Sequence, residues 1–150
     1  MSTNRIHQRF TLGAIERLKL RKQIETLFQQ GEAFSVFPLR VVYKFTELAE
    51  TEESPVRIGF SIPKKRIKKA VGRNKVRRVL KEAWRLNKHS LYGVIPEGTQ
   101  LHGFLVYTGS EKLTFAEAET AVRKAISKLK IAIAKPKPIV DNTTSPPQNL

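Results

Sequence analysis

Apolar positions along this chain recur in two rhythms, one of about 3.6 residues and one of about 2, and the switches between them mark its elements. From Glu16, the run ERLKLRKQIETLFQQG places Leu20, Ile24, Leu27 and Phe28 at helical spacing, and Gly31 supplies a stop signal. PLRVVYKF then alternates, with Leu39, Val41, Tyr43 and Phe45 on one strand face and Arg40, Val42 and Lys44 on the other. VRIGFSI alternates again through Val56, Ile58, Phe60 and Ile62 until Pro63 closes it. LHGFLVYT is nearly continuous in apolar residues, the pattern of a strand buried on both faces. Thr114 followed by Glu117 marks a capping box, after which Ala118, Val122, Ala125, Ile126 and Leu129 predict a last helix ending before Pro136. The order α, β, β, α, β, α predicts a small single-domain α/β sandwich over residues 15–134. Residues 1–14 read as a basic arm and residues 135–150, rich in proline and small polar residues, as a disordered tail.

Between the second and third strands lies KKRIKKAVGRNKVRRVLKEAWR, residues 64–85, in which eleven lysines and arginines stand against one acid, Glu82. On a helix, at about 100° per residue, Val76, Val79, Leu80 and Ala83 fall together, while Arg73, Arg77, Lys81, Arg85 and Lys88 gather opposite them with Asn74. The segment is therefore expected to dock by its apolar stripe and to present a ridge of positive charge about 20 Å long. Such a ridge matches a phosphate backbone in spacing and sign, and each neutralised phosphate releases condensed counterions. A helix face that serves only solubility mixes signs, whereas Glu82 is the only acid between Arg57 and His89. Guanidinium groups fork onto phosphate oxygens and stack on bases, which favours RNA over a lipid head group. Trp84, on the border between the two faces, reads as a packing residue. The opening AVGRN can aim backbone N–H groups at an anion. Neither phosphate-loop glycine pattern is present, so nucleotide hydrolysis has no support.

Composition sharpens this picture. With 28 basic and 13 acidic residues the net charge is +15, which in so short a chain calls for a polyanionic partner. No window approaches the roughly 18 apolar residues of a membrane span, and MSTNRIHQRF lacks the apolar core of a signal peptide, so a cytoplasmic protein without a membrane partner is expected. The absence of cysteine excludes disulfides, thiolate catalysis and cysteine-ligated zinc. His7, His89 and His102 fit no ligand spacing and read as surface or packing residues, so no metal site is expected. Two-metal hydrolysis needs clustered carboxylates. The single aspartate, Asp141, lies in the tail, and Glu47, Glu50, Glu52 and Glu53 crowd a loop that reads as a solvated hairpin connection. An autonomous nuclease is thus disfavoured, no catalytic residue is expected, and chemistry on RNA has to come from another molecule.

The basic segment resembles the signature of the protein subunit of bacterial ribonuclease P, an Arg-Asn-Arg triplet continuing into further basic residues on a helix. Arg73 and Asn74 match the triplet, Lys75 stands where the family has arginine, and Arg77, Arg78 and Lys81 match the continuation. ERLKLRKQIETLFQQG resembles the family's first helix, RIGFSIPKK the strand before the motif, and LTFAEAETAV the start of the last helix, so that about residues 10–130 are covered. The resemblance implies an α+β fold of order αβββαβα whose crossover through the basic helix is left-handed, against the usual rule. It also implies a non-catalytic subunit, monomeric alone and with no cofactor or DNA of its own. A catalytic RNA, with Mg²⁺, would remove the 5′ leader of precursor tRNA. Lys64, Lys65, Lys69, Arg73, Asn74, Lys75, Arg77, Arg78, Lys81 and Arg85 would bind that RNA. Ile24, Phe28, Tyr43 and Phe115 would line a cleft for the leader, with Ile24 replacing the family's aromatic. Aromatic stacking contributes ~1–3 kcal/mol per base and tolerates any sequence. A ribosomal or ribosome-assembly protein shares the charge pattern and is the alternative.

Overall fold

Four strands form one sheet in the computed structural model, which describes residues 12–110 and 112–134. Most of the expected arm and the whole expected tail lie outside the described residues. A 3-10 turn at Ala14–Glu16 precedes α1 (Arg21–Gln30), β1 (Glu32–Val36), β2 (Leu39–Glu47), β3 (Val56–Ser61), α2 (Ala70–Asn87), a short α3 (His89–Tyr92), β4 (Thr99–Tyr107) and α4 (Phe115–Ala134). The sheet order is β1-β2-β4-β3, with β2 antiparallel to both its neighbours and β3 parallel to β4. A parallel pair needs a crossover, and α2 with α3 supplies it.

One sheet face carries the main core. Leu39, Val41, Val56, Ile58, Leu101 and Leu105 are fully or almost fully buried there with Val76, Leu80, Ala83 and Trp84 of α2. Ala118, Val122, Ala125, Ile126 and Leu129 of α4 complete it. The stripes read from the sequence for α2 and α4 are the ones that pack, with Val79 only half-buried. The capping box also forms: the Glu117 N–H donates to Thr114 Oγ1 at 3.2 Å, and the Thr114 N–H to Glu117 Oε1 at 3.0 Å. Among the described residues the second face is covered only in part, by α1, whose Leu27 meets Leu18 and Val42 with Ile24 and Phe104 at the margin. That partial cover is why Phe104 and Val106 are half-buried, where the apolar run LHGFLVYT predicted burial on both sides.

Three expectations are corrected. Between Gly31 and Pro38 the apolar pattern offered no strand, yet EAFSV pairs with β2 as an edge strand and supplies the third strand of the αβββαβα order that the resemblance implied. Glu32, Ala33 and Ser35 are exposed, and only Phe34 and Val36 turn inward. The first helix starts at Arg21 rather than Glu16, and Leu20, counted on its apolar stripe, is 63% exposed. The residues before it run beside β3, where the Leu18 N–H donates to Ile58 O at 3.0 Å. Glu16 turns inward and accepts from Lys88 Nζ at 2.6 Å and from the Tyr92 hydroxyl at 2.8 Å. Gly31 does end α1, but with φ −77°. Glycine is needed there for space: a Cβ would lie 2.5 Å from Leu27 O and 2.8 Å from Tyr43 O.

Candidate nucleic-acid interface

The cations of α2 spread over a broad arc, because the helix buries only the narrow stripe Val76, Leu80, Ala83 and Trp84. Asn74, Lys75 and Arg78 are exposed, as are Lys64, Lys65 and Lys69 on the connection into the helix. Arg77 and Lys81 are half-buried on the flank nearest the N-terminal segment. Burial, and then the charges of Arg17 and Arg77, push the Lys81 ammonium below its ordinary pKa. Arg17 thus joins this cluster, a residue that the helix periodicity had no means to reveal. Cations crowded in this way are stabilised by an incoming anion.

Not every predicted ridge residue is displayed. Lys88 is fully buried and ion-paired to Glu16, so it leaves the ridge. Arg73 folds back, its Nη1 donating to Ile67 O at 3.1 Å and Lys68 O at 2.6 Å, and so clamps the basic connection onto the first turn. Gly72 permits that closure, since a Cβ there would lie 2.8 Å from Ile67 Cγ2. Arg77 donates to Asn74 Oδ1 at 2.8 Å, which orients two ridge side chains together. Arg85 is paired with Glu82 through Nε–Oε1 at 3.1 Å and Nη2–Oε2 at 2.5 Å. The hydrogen bond from Arg85 holds the Glu82 carboxyl below its ordinary pKa. Of the cations expected on the ridge, Arg85 is thus ion-paired to Glu82 and Lys88 is buried against Glu16.

The cleft also differs from expectation. Ile24 and Phe28 lie over the α1 face of the sheet, where the 47%-exposed Phe28 ring meets Phe104 edge-on at 5.3 Å. Phe104 in turn lies across Gly59, where any Cβ would collide with its ring. Strand alternation puts Arg40 and its register partner Val106 on this same face, beyond the reach of α1. Tyr43 is on the opposite face, between Phe34 at 5.8 Å and Phe45 at 5.9 Å. Its hydroxyl donates to Glu32 at 3.0 Å. Burial, with that bond and the Glu32 charge, pushes its pKa up to about 12. Phe115 opens α4, which packs on that opposite face too. Of the four expected cleft residues the structure brings together Ile24 and Phe28, and it adds Phe104 and Arg40. Arg40 was visible in the alternation of β2; Phe104 was hidden in a run read as uniformly buried.

The glutamate-rich loop is tied down. Arg57 Nε and Gln100 Nε2 donate to Glu52 Oε1 at 2.8 and 3.0 Å. Burial pushes the Glu52 carboxyl up, but these bonds and the Arg57 charge outweigh it and hold the pKa below the ordinary value.

A sequence model of the Ribonuclease P family matches residues 12–130, most of the chain. The chain belongs to the ribonuclease P protein family. The ribonuclease P protein component of Porphyromonas gingivalis is 38% identical over 122 residues, covering 80% of this chain and 87% of that protein. That of Borrelia duttonii is 30% identical over 109 residues, 73% of this chain and 87% of the relative. The solved ribonuclease P protein of Thermotoga maritima superposes with a TM-score of 0.56 at 25% identity, covering 75% of this chain and 96% of that one. The Staphylococcus aureus protein gives 0.57 at 19% identity over 78% and 94%, a likeness of fold. Membership of the ribonuclease P family makes this chain the protein subunit of a tRNA-processing ribonucleoprotein endonuclease and does not favour a ribosomal role. Among the described residues no helix is long and apolar enough to cross a membrane.

Proposed function

We propose that the arc of cations on α2 and its leading connection binds the catalytic ribonuclease P RNA, while the open part of the α1 sheet face receives the 5′ leader of precursor tRNA. The observation that carries this reading is the exposed group Lys64, Lys65, Lys69, Lys75 and Arg78 beside the Arg17, Arg77 and Lys81 cluster, with Glu82 as the one acid on α2. Phe28 and Phe104 provide the stacking platform in the cleft, and Arg40 the neighbouring charge. Tyr43 and Phe115 serve the opposite side of the fold. On this reading residues 15–134 act as one RNA-binding domain, monomeric alone and cytoplasmic. The chain binds no cofactor, and Mg²⁺ acts with the RNA subunit.

Reconstitution with a bacterial ribonuclease P RNA at low Mg²⁺ tests the whole reading. Cleavage of precursor tRNA is expected only when both components are present, and cleavage by the protein alone would overturn it. Phe28→Ala should weaken precursor tRNA binding by about five- to a hundredfold, the range for one lost base–aromatic stack, and spare mature tRNA. Equal losses on both would remove the leader from this cleft.

A further inference from the structure

On the flank of α2 away from Arg17, a groove of about 880 Å³ opens between the first half of the helix and the loop leading to α4. Its floor is apolar: Val71 is 67% exposed, and Val79 and Leu113 continue the surface inward. Its rim is basic, with Lys75, Arg78 and Lys112 all exposed. No acid stands among its described lining residues.

We infer that this groove takes an unpaired base of the RNA that the ridge binds, an inference that rests on the ridge reading given above. A paired phosphate backbone offers charge to Lys75 and Arg78 but nothing to cover Val71. An extruded nucleotide offers both at once, a flat face of low polarity and flanking phosphates, and single-stranded bulges and loops are where proteins find such bases. Val71 is one turn before Lys75, so base and phosphate are met by neighbouring side chains of one rigid helix. The floor is aliphatic and carries no donor or acceptor set for a base edge, so the groove selects for an unstacked base without selecting which base. Groove and ridge share Lys69, Lys75 and Arg78, so the strand that runs along one enters the other without leaving the cations.

The experiment uses the full chain and two hairpin RNAs of equal phosphate count, one fully paired and one carrying a single 2-aminopurine bulge. The natural sequence is expected to bind the bulged hairpin about five- to tenfold more tightly, with a change in 2-aminopurine fluorescence. Val71→Ser should bring the two affinities together without altering their salt dependence, and Val71→Leu should keep the preference. Val71 is exposed, so neither change touches the core. Phe28→Ala, in the separate cleft, should leave the preference intact. The inference is overturned if the natural sequence shows no preference, if the preference survives Val71→Ser, or if Phe28→Ala abolishes it; the groove would then be open to a protein partner. Failure of the ridge reading looks different: a Lys75→Ala, Arg78→Ala double variant would bind both hairpins as the natural sequence does.

Discussion

Replacing Lys88 by methionine strands a carboxylate inside the protein. Lys88 is fully buried and Glu16 is 3% exposed, so water cannot take the place of the ammonium. The remaining partners are the Tyr92 hydroxyl at 2.8 Å from Oε1 and the Gly13 N–H at 3.2 Å from Oε2. Removing one member of a buried ion pair costs about 3–5 kcal/mol. With two donors still in place the lower end applies, about 3 kcal/mol, a large share of the roughly 5–15 kcal/mol that separates folded from unfolded domains. Glu16→Gln in the Lys88→Met background removes the uncompensated charge and keeps an acceptor for Tyr92, so it should recover about 2 kcal/mol. Urea denaturation of the four proteins at neutral pH closes the cycle. With an m value of roughly 1–3 kcal/mol/M, the single variant should shift the midpoint by about 1–3 M. The loss should be alike at low and high salt, because a buried pair is screened little. A single-variant loss under about 1 kcal/mol, with a coupling near zero, would mean that the pair is solvated and that Glu16 does not anchor the N-terminal segment.

Lys75→Ala with Arg78→Ala should lower the slope of log affinity against log salt for ribonuclease P RNA by about two, one per lost phosphate contact, and an unchanged slope removes both from the interface. Glu82→Gln removes the carboxylate charge beside Arg85, so RNA binding should strengthen at low salt; unchanged binding places this part of α2 outside the contact. Burial, and then the charges of Arg57 and Lys44, depress the His102 pKa below 6.5. The unfolded chain then binds the extra proton first, so the stabilisation is complete above pH 6.5 and is lost as pH falls through the folded value. His102→Gln should flatten that limb in urea titrations taken at successive pH values, and an identical slope in both proteins would refute the assignment.

Local signals carried the parts of this fold that depend on local physics. Helical spacing exposed the buried stripe of α2, alternation set the two faces of β2, and Thr114 with Glu117 marked where α4 begins. Long-range pairing was not legible. Lys88 sits on the cationic side of the helix by periodicity, but its counter-charge, Glu16, lies 72 residues earlier and identifies itself by no spacing. The resemblance put Tyr43 and Phe28 in one cleft, and the strand pattern had no means to separate them, since alternation gives two faces without saying which of them a helix will cover. β1 escaped because only two of its residues, Phe34 and Val36, turn inward, too short an alternation to mark a strand.

The guanidinium of Arg57 has consequences beyond the residues it touches. Its Nη1 donates to Arg17 O at 2.8 Å while Nε and Nη2 hold Glu52 Oε1 at 2.8 Å. One rigid planar group therefore couples two stretches of chain 35 positions apart. If the carboxylate lets go, the fork loses the constraint that aims its third nitrogen, and the backbone carrying Arg17 toward Lys81 is held less firmly. A disturbance of the acidic turn, which lies far along the chain from the positive helix, would in this way travel to the cations through a single side chain.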